Sequence, residues 1–292
     1  MFSLRRANKF ETTFNNKKMV DFEFRGKTVR LPSQLEELSG RQYIRLLSLT
    51  MVMQAGLTSF EDMRDRWVSF LLGTAISYRD YEPGIVMEVE GQLEKLNGFF
   101  EFTPAEDGVV KVSVRLDTKK QMLRELDGWT GPGDMLDGMT FGEFTDCLIQ
   151  LKIADEATSD DERREAMREL TRRMYHAPGV PHDTPRHRPS APTPPDLLVF
   201  HAVTFFTSIW QTITSEPVNI NGEQIPLTIL FRDSTQKAGR HHADDRTGWR
   251  GIAFEVARDG VFGRLADVDA APLWDVLLFL YKCKFDALHT NR

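Results

Sequence analysis

The spacing of apolar positions changes several times along the chain, and each change predicts an element. The strongest signal lies in residues 139–179, where Phe141, Phe144, Leu148 and Leu151, with Cys147 beside them, recur at helical spacing. Thr140 and Glu143 stand as a capping box, and Met139 and Phe144 as a hydrophobic staple. A second start, Ser159-Asp160-Asp161-Glu162, places acids at a helix N-terminus, and Arg172, Arg173 and His176 fall in its last turn. Both ends complement the helix dipole. The stretch predicts a helical hairpin.

Earlier in the chain, residues 1–18 are polar and aperiodic and read as a flexible arm. The apolar alternation at 20–24 and 28–31 flanks Arg25-Gly26-Lys27 and predicts a β-hairpin. Gly26-Lys27-Thr28 resembles the tail of a phosphate-binding loop, but Asp21 stands where that loop needs its first glycine, so the hairpin turn is the better reading. Ser39 and Gln42 repeat the capping box ahead of a helix through Leu46, Leu47, Met51 and Val52, ended by Gly56. The repeat is either a duplicated unit or a chance recurrence of a common signal. Thr58 to Glu61 opens another helix, which offers Trp67, Phe70, Leu71 and Leu72 for burial. Strands are expected at 85–89 and 99–102, and at 110–116 after a turn at Glu106-Asp107-Gly108. Residues 127–134 read as a glycine-rich loop displaying an exposed Trp129.

Residues 177–195 hold seven of the fourteen prolines and read as an extended connector, the expected first site of limited proteolysis. They divide an expected N-terminal α+β domain, 19–176, from a C-terminal one, 196–292. His176, His182 and His187 cluster there without a scaffold for a metal and are read as solvated. Beyond it, Leu197 to Trp210 predicts a buried helix capped by Asp196, with His201 as a core histidine. Asn221-Gly222 predicts a tight hairpin whose second strand runs from 223 to 231, at an edge because of Pro226. One helix is expected from Trp249 to Gly260. The last is capped by Asp269, with Pro272 in its first turn and Trp274, Leu277, Leu278 and Tyr281 inward. The fold class that follows is α+β, mainly helical, with two or three short antiparallel β-hairpins.

Composition changes this picture little. Hydrophobic residues at 41% and charged residues at 27% describe an ordinary globular chain, and a net charge of −6 argues against a general nucleic-acid binder. Cys147 and Cys283 both lie on apolar helical faces and are read as reduced core thiols. The N-terminus lacks the apolar segment of a signal peptide, and the apolar run at 46–57 is too short to span a bilayer, so a cytoplasmic location without a membrane partner is expected. No catalytic motif, cofactor site or metal site is assigned. The best place for one is the polar stretch 233–248, where His241, His242, Asp244 and Asp245 could support a metal-assisted hydrolase. A mobile polar loop is the favoured reading. Exposed Trp129 and an apolar edge strand presenting Ile225, Leu227, Ile229 and Phe231 are the candidate partner contacts.

The C-terminal pattern resembles that of proteins from tailed-phage and prophage tail modules. It consists of a Trp-Arg-Gly-Ile helix start at 249–252, a Gly-Val-Phe-Gly turn at 260–263 and a final Leu- and Trp-rich helix. The hairpin at 139–179, with Met174-Tyr175 shortly before Pro178, is similar to the middle of such proteins. The resemblance covers about a quarter of the chain. It implies a non-enzymatic tail-assembly chaperone or minor structural protein. Its partners would be tape-measure or tail-tube components, in the cytoplasm of a bacterial host or in the virion. The chain's length, strand pairs and proline connector depart from compact tail-assembly chaperones, and no functional residues are carried over.

Overall fold

Arg25 and Gly26 both take positive φ, 51° and 68°, the geometry of a two-residue turn whose twist matches the strands it joins. It closes β1 (Val20–Phe24) on β2 (Lys27–Leu31), with Val20 opposite Leu31 and Phe24 opposite Lys27. The computed structural model describes residues 19–74, 83–104, 110–179, 192–231 and 249–290. Its internal contacts divide the chain after Leu123 into two compact units.

In the first unit, β1–β2 is followed by α1 (Gly40–Gln54) and α2 (Phe60–Leu72), which pack together. Ser39 caps α1: the Gln42 amide donates to the Ser39 hydroxyl at 3.4 Å, and the Ser39 amide donates to the Gln42 side chain at 2.9 Å. Ser59 caps α2 in the same way through the Asp62 amide, at 3.1 Å. Next come α3 (Pro83–Glu90), a 3₁₀ turn at Leu93–Phe99, and the antiparallel pair β3 (Phe100–Pro104) and β4 (Val110–Val114). Phe22, Tyr43, Leu46, Leu47, Met63, Trp67, Leu96 and Phe99 are fully buried, and the Trp67 and Phe99 rings meet edge to face at 5.5 Å. The strand expected at 85–89 is instead the helix α3. A short continuous apolar run carries no period that separates strand from helix, and tertiary packing decided the matter. The helix and the turn after it cover β1. Gln92 accepts from the Glu23 amide at 2.7 Å and donates to the Glu23 carbonyl at 2.8 Å, standing in for a neighbouring strand.

The second unit begins with β5 (Glu125–Leu126) and β6 (Trp129–Thr130), joined by Asp127-Gly128, again with two positive φ values, 49° and 82°. The expected glycine-rich loop is therefore a tight hairpin, because Asp-Gly is itself a hairpin turn. The predicted helical hairpin follows as α4 (Phe141–Glu156) and α5 (Asp160–Met174), the most extensively packed pair of elements described. Thr140 and Glu143 form the capping box at 3.2 and 2.9 Å. Ser159 caps α5 through the Glu162 amide at 3.2 Å. The long apolar α6 (Asp196–Ser215) packs on α5, and Arg168 reaches Asp196 at 3.6 Å. The chain continues through β7 (Val218–Ile220), β8 (Glu223–Ile225), α7 (Trp249–Asp259), α8 (Leu265–Ala270) and α9 (Leu273–Thr290).

The fold class is α+β and mainly helical, with short antiparallel two-stranded sheets. The second unit is centred on six aromatic rings. Phe144 stands 5.6 Å from Phe206 and 6.0 Å from both Trp210 and Trp249, Phe141 is 6.3 Å from Trp249, and Phe231 is 5.2 Å from Trp210. This cluster draws on α4, α6, α7 and the segment after β8. It explains why the contacts divide after Leu123 and not at 177–195, where proline content suggested a boundary: α4 and α5 share their core with the elements beyond. Of that connector, residues 180–191 lie outside the described residues.

Among the described residues α6 is the one helix that length and composition would allow to cross a membrane, with mean hydropathy 1.3. The longer apolar stretch is therefore α6 and not residues 46–57. Its Leu198, Ala202, Phe205, Phe206, Ile209 and Ile213 are buried in the unit's core. Three local expectations also change. Pro195 is the N-cap of α6, with Asp196 its first residue; Asp269 lies within α8, and α9 starts only after Pro272; and Cys283 is exposed, while Cys147 is buried as expected.

Candidate functional site

Each predicted contact residue has a definite place. Trp129, expected to be exposed among glycines, is 3% exposed. The glycines read as lack of packing are where neighbours come close: a Cβ on Gly131 would lie 2.5 Å from the Tyr175 ring, and one on Gly128 would lie 3.2 Å from Pro178. The Thr130 amide donates to the His176 carbonyl at 3.0 Å and the His176 amide donates back at 2.8 Å, so β6 is tied to the chain leaving α5 and Trp129 is held inside.

The expected edge strand stops at Ile225, and Leu227–Leu230 forms a 3₁₀ turn after Pro226. Proline lacks the amide a strand ladder needs, and here it ends the strand instead of blunting it. Leu227 is fully buried; Ile225, Ile229 and Phe231 are half-buried, with Phe231 in the aromatic cluster. Backbone exposed for an added strand is therefore confined to a three-residue β8. His241, His242, Asp244 and Asp245, together with His182 and His187, lie outside the described residues. His201 is a core residue as expected: its ring stacks on Phe205 at 5.7 Å, and burial pushes its pKa down to about 3.

Among the described residues, the far half of α9 presents exposed apolar side chains in line along one helix. Its first two residues are anchored, the Leu273 amide donating to the Met139 carbonyl at 3.0 Å and the Trp274 indole to the Met135 carbonyl at 2.9 Å. From Trp274 the apolar residues continue at Leu278, Tyr281, Phe285 and Leu288, alternating steps of four and three that place all five on one seam. Burial declines along that seam. Trp274 is buried, Leu278 and Tyr281 are half-buried, and Phe285 and Leu288 are 38% and 54% exposed. The aromatic groups brace one another, with Tyr281 5.8 Å from Phe285 and Phe285 stacked on His289 at 4.0 Å.

Lys282, Lys284 and His289 flank the seam; Lys282 also pairs with Asp286 at 2.5 Å on the outer face. Beside the helix, Val261 is 64% exposed, next to Phe262, whose ring meets Phe279 at 5.5 Å. Sequence reading stopped the inward stripe at Tyr281. The signal that it continues was present in the spacing of Phe285 and Leu288, and what the spacing could not show is that the described residues of the unit leave both exposed.

No family model, curated protein or solved structure matches the chain.

Proposed function

We propose that this chain is a non-enzymatic assembly or interaction protein that docks a partner helix along the exposed half of α9. The observation that carries the reading is the apolar seam of α9 running on, in register, past the point where the described residues of its own unit cover it. A helix exposing Phe285 and Leu288 in line with Tyr281 leaves apolar surface in water unless a second helix fills it. About ten residues at 1.5 Å each give the open segment a length near 15 Å, roughly one and a half heptads.

Charge selects the occupant. A parallel second copy would set Lys284 beside His289, which offers it no acid, and an antiparallel one would set Lys284 against itself. The partner that fits is a different amphipathic helix with an apolar seam flanked by Asp and Glu. The resemblance of the C-terminal pattern to tail-module proteins supports seeking that partner among other tail components of a phage or prophage.

The test is co-expression with the products of the neighbouring genes, followed by purification of the complex. Phe285→Asp with Leu288→Asp should abolish the complex while leaving the thermal midpoint within about 2 °C, since exposed side chains contribute little to folding. Lys284→Glu should weaken it. A complex indifferent to these changes sinks the reading. So does a self-dimer that Phe285→Asp dissolves, because the occupant would then be a second copy.

A further inference from the structure

The first unit carries a cavity that this function does not use. It lies between the first turns of α1 and the last turns of α2, measures about 670 Å³, and opens to solvent. That volume is within the range of small-molecule sites. Three of its lining residues are arginines, Arg41 and Arg45 from α1 and Arg66 from α2, and none of the described lining residues is acidic. In a chain with 43 acidic and 37 basic residues, this is a local reversal of the overall charge.

The sequence produces it by helix register. Arg41 and Arg45 are four apart and share a face of α1, a helix without a single Asp or Glu. Arg66 and Phe70 are likewise four apart on α2, and Gly73, its C-cap, follows three residues on. Phe70 lies between the two sides: the Arg41 and Arg45 guanidinium groups stand 5.8 and 5.9 Å from its ring centre, and Trp67 stacks against it at 6.1 Å. The aromatic ring thus holds two guanidinium groups on one side of the opening without neutralising them. Among the described residues no carboxylate pairs with any of the three arginines. Asp65, next to Arg66, pairs with Arg64 instead, at 3.5 Å. The N-terminal end of α1 adds a further partial positive charge at the same mouth.

We propose that this cavity binds a small phosphate-bearing ligand with at least two phosphoryl groups. Guanidinium forks bind phosphate oxygens two at a time. A single carboxylate is planar and takes one such fork well, whereas a diphosphate presents enough separate oxygen faces for three. Phe70 lines the same cavity and offers an aromatic face to an organic group carried on the phosphates. All three arginines are exposed at this opening, and among the described residues no carboxylate competes with a ligand for them.

Calorimetric titration of the full chain with pyrophosphate tests this. One saturable site per chain is expected, weakening steeply with added salt. Arg45→Gln, Arg41→Gln and Arg66→Gln should each weaken it about tenfold or more, and Arg30→Gln, on an exposed strand elsewhere in the unit, should leave it unchanged. Arg41→Lys with Arg45→Lys should retain charge yet bind more weakly, because the fork is lost. If Arg66→Gln proves unstable, the two α1 variants decide the question alone. Adenosine triphosphate and tripolyphosphate compared side by side distinguish an organic phosphate, for which the nucleotide binds tighter, from an inorganic one, for which they match. The proposal is overturned by the absence of saturable pyrophosphate binding up to about 10 mM, by binding that survives all three glutamine changes, by equal loss in Arg30→Gln, or by citrate binding as tightly as pyrophosphate.

Discussion

Gly131 faces the Tyr175 ring so closely that a methyl group has nowhere to go: the added Cβ would stand 2.5 Å from a ring carbon. Gly131→Ala should therefore lower stability by about 1–3 kcal/mol, the usual cost of overpacking, read from the denaturant midpoint. Trp129→Ala tests the same corner from the other side. Its burial predicts a loss of about 3–5 kcal/mol in the isolated chain, with no partner needed to see it. A small loss would return Trp129 to the surface. His201 gives a third residue-scale prediction. Burial alone depresses its pKa from 6.5 to about 3, so the unfolded chain binds the proton that the folded chain refuses. The stability this histidine permits is complete above pH 6.5 and is lost progressively as pH falls towards 3, with a limiting slope of about 1.4 kcal/mol per pH unit. Comparing His201→Leu with the parent across that window should show a shallower acid slope in the variant. Parallel slopes would contradict the assignment.

At the scale of elements, local chemistry and local structure agree wherever the chain supplies its own hydrogen-bond partners. The boxes at Ser39 and Thr140 and the caps at Ser59 and Ser159 all form. Thr140→Ala should cost about 1 kcal/mol. Ser39→Ala should cost the same or less, because its amide contact is longer, 3.4 Å against 3.2 Å. Double-mutant cycles with Glu143→Ala and Gln42→Ala would separate each cap from its reciprocal bond. The α5 charges also behave as elements do. Burial pulls Glu169 upward, but hydrogen bonds from Arg173 and Arg172 outweigh it and hold the carboxyl below its usual value of 4.5. That contribution is present above pH 4.5 and fades as pH falls through the lowered value, so its loss begins at lower pH than that of His201.

At the scale of the whole molecule, the shared aromatic core predicts which pieces can stand alone. A fragment of residues 124–292 keeps α4 to α9 together and should unfold cooperatively. A fragment of 196–292 would expose Phe206, Trp210 and Trp249 to water and should aggregate or remain unfolded. Cooperative folding of the shorter piece would restore the boundary at the proline-rich stretch. The sequence by itself determined the helices with caps and periodic faces, the two-residue turns at Arg25-Gly26 and Asn221-Gly222, and hence the α+β class, because each of these depends on residues a few positions apart. The spacing that makes α9 one continuous seam was equally present in it. Only the tertiary structure decided that residues 85–89 form a helix, that Trp129 lies inside, that α4 and α5 belong with α6, and that Phe285 and Leu288 remain uncovered. It also brought Arg66 to Arg41 and Arg45. Each of those outcomes depends on which distant surface comes to lie against a side chain, and neither composition nor period encodes that meeting.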